Sequence, residues 1–264
     1  MFSSIDKSLY QVTRFRAEQL QKLRNVKAHS PSIIQVLSGS KKLYWHDNSM
    51  IISNTSLLLC GAATSLNFEN QPHNGYFSSK VFSFFCQPTE ALLSLSQSIL
   101  TKNTVPIIKS DKALLNMLNA LSELGKSDLS GETQTFLLMA LYQHLAEKGV
   151  LHYLFASNQL TLSQKVSHYL SFSPAKPHTL TSIAATFAMS RATFIRHLNK
   201  EDIQFRELLT DVRLNHALNL MQKEKMPVSI LAQLCGYQSE SRFSQRFKAK
   251  FGVTPREYMN TLKD

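Results

Sequence analysis

The sequence predicts an α+β protein: a compact antiparallel β-unit with helices after it, then an all-helical region built around two helix-turn-helix units. Three observations predict this. Short β-rich runs broken by turn residues fill residues 31–88, the apolar period changes from about 2 to about 3.6 after Pro88, and one short-helix, turn, second-helix pattern occurs twice beyond residue 180.

Taken in order, the runs "SIIQVL", "KKLYWH", "MIIS", "SLLLC" and "YFSSKVFSFFC" are separated by Ser-Gly-Ser, Asp-Asn-Ser and Gly61. Five to seven strands in a small barrel or sandwich are expected there. Beyond Gln87-Pro88, "TEALLSLSQSIL", "SDKALLNMLNALSEL" and "SGETQTFLLMALYQHLAEKG" carry apolar residues at i, i+3, i+4 and i+7. Ser110-Asp111 and Ser130 are helix starts, and Gly125 and Gly149 are stops. The 132–148 helix is apolar along Phe136, Leu137, Leu138, Met139, Ala140, Leu141 and Leu145, which suits either a buried core helix or a homodimer contact. From about Leu160 the chain is expected to be helical to its end, with a boundary near residue 159 between an N-terminal domain (1–159) and a C-terminal domain (160–264).

Composition narrows the class. The 264 residues have ordinary globular usage, with 43% hydrophobic residues, and a formal net charge of +11. A strongly basic chain points to a polyanionic partner, nucleic acid before membrane. The excess sits at residues 160–264, with 15 Lys and Arg against 8 Asp and Glu, and at residues 1–42, with 8 against 2; residues 43–159 carry 6 against 8. The middle is therefore nearly neutral between a basic N-terminal arm and a basic C-terminal domain. Cys60, Cys86 and Cys235 form no C-x-x-C pair and read as reduced thiols. The start has no signal-peptide core and no apolar run approaches a membrane span, so a cytoplasmic protein is expected.

The chemistry lies in "LTSIAATFAMSRATFIRHLNKE" and "VSILAQLCGYQSESRFSQRFKAKFG". In each, a short helix with an apolar face (Ile183, Ala184, Phe187; Ile230, Leu231, Leu234) enters a tight turn, and a Ser at an N-cap position, Ser190 or Ser239, opens a second helix. Phe243, Phe247 and Phe251 share the inward face of the second of these helices, leaving Glu240, Ser241, Ser244, Gln245 and Lys248 outward with Arg242 and Arg246 near phosphates. By the same argument Phe194 and Leu198 turn inward, Ala192, Ile195, Arg196 and Asn199 outward, and Arg191 and Thr193 lie on the edges. Such helices suit the major groove of double-stranded DNA, where polar side chains reach base edges. The connecting helix, Gln204 to Lys223, spans about 30 Å, close to one turn of B-DNA at roughly 34 Å, so the two readers are expected in successive major grooves.

These residues carry a resemblance. Residues 160–262 resemble the DNA-binding domain of AraC/XylS-type bacterial transcription regulators, most specifically through "GYQSESRFSQRFKAKFGVTPREY", with Gly236, Ser239, Ser241, Phe243, Phe247, Lys248, Phe251-Gly252, Thr254-Pro255 and Tyr258. The first unit is similar through Ile183-Ala184, Met189-Ser190, Phe194 and Leu198, and the connecting helix through Arg213, Ala217 and Leu220-Met221. The resemblance implies sequence-specific promoter binding and activation through contact with RNA polymerase, with repression as the alternative. Gln245 stands where the family often has Arg, so base preference there is open; Glu240 suits a cytosine amino group better than a phosphate.

The N-terminal part resembles, through "LSGSKKLYW" and "NTSLLLCGAATSLNFEN", the cupin-like barrel that such regulators use for effector sensing and dimerisation. The alternative is a protein-interaction and dimerisation module without a small ligand. His46 and His73 stand apart from any ligand cluster, so no metal and no cofactor are expected. Some members with this layout bind fatty acids through lysines of both domains; Lys27, Lys223 and Lys225 do not match closely enough to be assigned, so the effector stays open. No G-x-S-x-G, phosphate-binding glycine loop or metal cluster is present in the sequence, so an enzyme is not expected.

Overall fold

A computed structural model describes residues 8–99, 105–125, 127–157 and 159–262. Among the described residues, nine antiparallel strands form two sheets: a five-stranded sheet in the order β1-β8-β3-β6-β9 and a four-stranded sheet in the order β2-β7-β4-β5. The strands are β1 (Tyr10–Ala17), β2 (Gln21–Lys27), β3 (Ser32–Ser38), β4 (Ser40–Trp45), β5 (Asn48–Ile52), β6 (Ser56–Cys60), β7 (Ser65–Gln71), β8 (Phe77–Phe84) and β9 (Ile107–Lys109).

Six of these strands lie in the 31–88 window, within the expected number. β1 and β2 are a correction, because they occupy part of what the sequence reads as a basic arm. β1 is an edge strand whose Arg14 and Arg16 face solvent, so its charges guard an edge rather than mark a loop. β9 is a second correction, too short to leave a period.

Burial explains why β3 and β6 read as unbroken apolar runs. Ile34, Leu58 and Cys60 point into the interior shared with Leu23, Leu43, Ile52, Leu66 and Phe68 of the other sheet, whereas Ile33, Leu57 and Leu59 point outward under helices. Those helices are α1 (Glu90–Ser98), α2 (Lys112–Leu124) and α3 (Gly131–Glu147), capped by Thr89, Asp111 and Ser130. α3 is a core helix along Leu138, Leu141, Tyr142, Leu145 and Ala146, with Phe136 left outside.

The remainder is helical: α4 (Leu162–Ser171), α5 (Leu180–Thr186), α6 (Arg191–Asn199), α7 (Phe205–Lys223), α8 (Val228–Leu234), α9 (Glu240–Phe251) and α10 (Pro255–Asn260). Val166, Leu170, Ile183, Phe194, Leu198 and Val212 make a separate core around α4 to α6 and the start of α7. The second unit shares its core with the sheets: Leu214, Leu218, Leu231, Phe243, Phe247 and Tyr258 are continuous with Leu23, Ile34 and Phe68. The two helix-turn-helix units are thus mounted differently, the first on its own core and the second on the β-unit. Among the described residues no helix is long and apolar enough to cross a membrane.

Candidate nucleic-acid interface

The second helix of each unit is set by its cap and its aromatic underside. Ser190 Oγ accepts from the Thr193 amide at 3.1 Å and Ser239 Oγ from the Arg242 amide at 3.3 Å, which starts α6 and α9 at equivalent points. Under α9 the rings of Phe243, Phe247 and Phe251 step along at 5.8 and 4.7 Å, and Tyr258 closes against Phe247 at 6.3 Å. Under α6, Phe194 packs on Phe205 at 6.2 Å.

The turns before them share one geometry. Ala188 and Gly236 both adopt left-handed backbone, at φ 54° and 76°, and the next amide, of Met189 or Tyr237, returns to the carbonyl of Ala184 or Ala232 at 2.9 Å. Arg213 of α7 lies between the second turn and the loop after α4: its Nε donates to the Pro174 carbonyl at 2.9 Å and its Nη2 to that of Lys176 at 3.0 Å, and its Cζ stands 5.9 Å from the Tyr237 ring centroid. Glu201, just past α6, accepts from the amides of Leu162 and Ser163 at 2.9 and 3.0 Å and so caps α4 with a full negative charge.

Exposure sorts the expected contact residues. Ala192, Arg196 and Asn199 on α6, and Ser241, Gln245 and Lys248 on α9, lie opposite the buried rings and are exposed. They match pairwise when the two caps are aligned. Arg191 and Arg242 are exposed beside them, and Thr193 is half-buried under Arg196.

Ile195 and Ser244 are half-buried on the shoulder of their helices, not fully outward as expected, because at about 100° per residue each falls nearer the core than the groove. Glu240 lies within roughly 20° of Phe247 around the axis, and is exposed only because it stands in the first turn. Arg246 leans back onto α7, its Nη1 3.4 Å from Thr210 Oγ1. α7, at 19 residues and about 28 Å, ties the two units together.

Behind the second unit a cavity of about 350 Å³ opens between the two sheets and α4 and α7. Its lining mixes Leu23, Ile34, Leu66, Phe68 and Val81 with Lys41, Asn70, Gln21 and His216. Lys27 and Lys223 border it; Lys225 does not. Lys27 also faces Asp211 of α7 at 3.7 Å, and Asp211 is bound on its other oxygen by Lys250 of α9. Burial holds the neighbouring His29 down to about 4, against which the Asp211 charge pulls upward.

More bonds clamp the second unit to the sheets. Gln222 accepts from the Arg16 amide at 2.8 Å and donates to the Arg16 carbonyl at 3.1 Å and to Tyr258 Oη at 2.8 Å. The Glu18 amide donates to the Thr261 carbonyl at 2.8 Å.

Residues 183–261 match the model of a helix-turn-helix domain family, over the two turns and reading helices just described. Residues 183–261 carry a helix-turn-helix domain. Similar curated proteins are regulators: the urease operon transcriptional activator of Escherichia coli is 32% identical over 123 residues, covering 47% of this chain and 41% of that protein. The transcriptional activator CsvR of Escherichia coli is 26% identical over 188 residues, covering 71% and 65%. The chain thus spans between 41% and 65% of the length of these relatives.

The fold extends the likeness beyond the helix-turn-helix domain. A crystal structure of ToxT from Vibrio cholerae O395 superposes with a TM-score of 0.61 at 18% identity, covering 97% of this chain and 99% of that one. Another, of unsaturated fatty acid bound wild-type ToxT from Vibrio cholerae strain SCE256, gives 0.56 at 19% identity over 98% of both. The arrangement of antiparallel sheets followed by a helical domain is that of these proteins.

Sequence reasoning missed Lys41, Gln21, Asn70, Gln222 and Asp211. A signal existed for Lys41, since the period of 2 in "SKKLYW" sets it on the same face as Leu43, which is buried.

Proposed function

We propose that this protein is a cytoplasmic, sequence-specific DNA-binding transcription regulator, an activator in its main role, that sets α6 and α9 in successive major grooves of promoter DNA. The observation that carries the reading is the pair of aromatic-anchored helices presenting equivalent polar faces, Ala192, Arg196 and Asn199 on one and Ser241, Gln245 and Lys248 on the other. The exposed Arg191 and Arg242 supply phosphate contacts beside them. RNA polymerase is the partner that activation requires, and the work of the chain is binding rather than catalysis. Relatives named as transcriptional activators support this.

The cavity favours effector sensing over a filled β-unit that serves only protein contacts. Its volume falls in the range of small-molecule sites, roughly 300–1,000 Å³, and its lining is mixed polar and apolar. A fatty acid is the effector class suggested by the similar ToxT structure, which has an unsaturated fatty acid bound. The exposed Phe136 on α3 supports the 132–148 helix as the homodimer contact.

The test is a gel shift of the full chain on promoter fragments selected for binding. Arg196→Ala and Gln245→Ala should each weaken specific binding by about 1–3 kcal/mol, as expected for lost base contacts, while leaving weak nonspecific binding. Unchanged specific binding by both variants would remove the assignment of the reading helices.

A further inference from the structure

The two sheets of the β-unit are finished differently on the outside. Helices cover the outer side of the five-stranded sheet over Ile33, Leu57 and Leu59. The outer side of the four-stranded sheet instead carries exposed Lys22, Arg24, Tyr44 and Asn67, with Lys42 and Glu69 half-buried among them. The register sets Lys22 of β2 and Lys42 of β4 on either side of Glu69 of β7. Lys22 Nζ binds Glu69 at 3.0 Å, and Tyr44 Oη donates to the same carboxylate at 2.9 Å. That acid is therefore engaged. Lys42 Nζ stands 5.3 Å from the Tyr44 ring centroid, and among the described residues neither Lys42 nor Arg24 has a carboxylate partner. The face is left with uncompensated positive charge.

Arg24 also belongs to a second pattern, the outward stripe of α9. At about 100° per residue, positions 241, 245, 248 and 252 fall within roughly 60° of one another around the helix axis. Ser241, Gln245 and Lys248 fill the first three with exposed polar side chains. The fourth is Gly252, the left-handed C-cap, and a Cβ built there would stand 3.0 Å from Arg24 Nε and 3.3 Å from its Cδ. Arg24 thus occupies the end of the stripe in place of a side chain from α9 itself. β2 is fixed in that position, because Asn25 Nδ2 donates to the Lys250 carbonyl at 3.3 Å and Lys27 faces the Asp211 carboxylate that also binds Lys250.

We propose that the N-terminal β-unit is part of the DNA interface: Arg24 grips a backbone phosphate at the end of α9, and Lys42 meets a second phosphate further along the open sheet face. This rests on the reading of α9 as a helix set in the major groove and extends that interface onto the β-unit. A guanidinium suits a phosphate because its planar fork can bond two of the oxygens at once. Lys42 lies two strands over from β2, about 10 Å at ~4.8 Å per strand, which is about three phosphates along a strand at 3.4 Å each. The proposal also gives a function to the positive excess of residues 1–42, with 8 Lys and Arg against 2 Asp and Glu, to which Arg24 and Lys42 both belong. Contacts of this kind add affinity without reading sequence.

The test is the salt dependence of binding by the full chain to a selected site and to an unrelated duplex, for the wild type, Arg24→Gln and Arg24→Gln/Lys42→Gln. Each lost phosphate contact should reduce the slope of log affinity against log salt by about 0.9, so the single variant falls by about one and the double by about two. Affinity should drop by the same factor on both duplexes, which leaves the preference for the selected site unchanged. Ethylation interference adds the position: a phosphate beside the α9 patch whose ethylation blocks the wild type should no longer matter to Arg24→Gln.

Weaker binding with an unchanged slope and an unchanged interference pattern, as expected if Arg24 merely braces the end of α9, overturns the proposal. Wild-type slope and affinity in both variants overturn it too. Neither outcome touches the reading of α6 and α9 themselves, which the Arg196→Ala and Gln245→Ala gel shift decides on its own.

Discussion

Replacing Gly236 by Ala isolates what the second turn demands. The backbone there is left-handed at φ 76°, which costs a residue with a Cβ about 1–2 kcal/mol. The added carbon would also stand 2.8 Å from Arg213 Cζ and 3.0 Å from Ala175 Cα, so the guanidinium that holds the Pro174 and Lys176 carbonyls must move. Loss or lengthening of those charge-assisted bonds adds roughly 2 kcal/mol, for a total of about 3–4 kcal/mol. Gly75 supplies the control, since its φ is 74° but nothing lies within 4 Å of a Cβ built on it. Gly75→Ala should therefore cost only the conformational part, about 1–2 kcal/mol. Urea unfolding of the full chain, followed by circular dichroism, reads both numbers. Equal costs at the two positions would refute the close packing of Arg213 against the second turn.

At the equivalent place in the first unit, Ala188 sits at φ 54°, so Ala188→Gly should stabilise the chain by about 0.5–1 kcal/mol once the extra chain entropy of glycine is deducted, read by the same unfolding. His29 is buried and held near 4 against an ordinary value of 6.5, so the unfolded chain takes up a proton first as pH falls. Stability is then intact above pH 6.5 and declines between about 6.5 and 4. His29→Gln should flatten that decline in urea midpoints measured from pH 7 to 4.5, and an unchanged slope would contradict the assignment. Phe136, 76% exposed on α3, should lower self-association when changed to Glu, as measured by sedimentation, without changing the thermal midpoint of the fold.

What was legible in the sequence follows the strength of local signals. Caps and stops were readable because they are chemistry at single positions: Asp111, Ser130, Ser190 and Ser239 each accept the expected amide. The connecting helix was placed within a residue: Gln204 stands at its N-cap position without a side-chain capping bond, and Lys223 ends it. β1 and β2 were hidden because their charged residues face solvent or the helical domain, so composition spoke louder than alternation.

On the reading helices, periodicity separated inward rings from outward polar residues but blurred the shoulders. Ile195 and Ser244 were legible at 100° per residue and were misplaced because the helices were divided into an inward and an outward face with no shoulder between them. The clamp between the second unit and the sheets was not legible at all. Gln222 reaches Arg16 across 206 positions, and Lys250 reaches Asp211 across 39, pairings that only the tertiary arrangement creates.

The most direct test of the central claim is a hydroxyl-radical footprint of the wild type, Arg196→Ala and Gln245→Ala on a selected binding site. The two-reader account predicts two protected patches on one face of the duplex, about 10–11 base pairs apart, one fading in each variant. A single patch, or two patches that neither substitution alters, would contradict it.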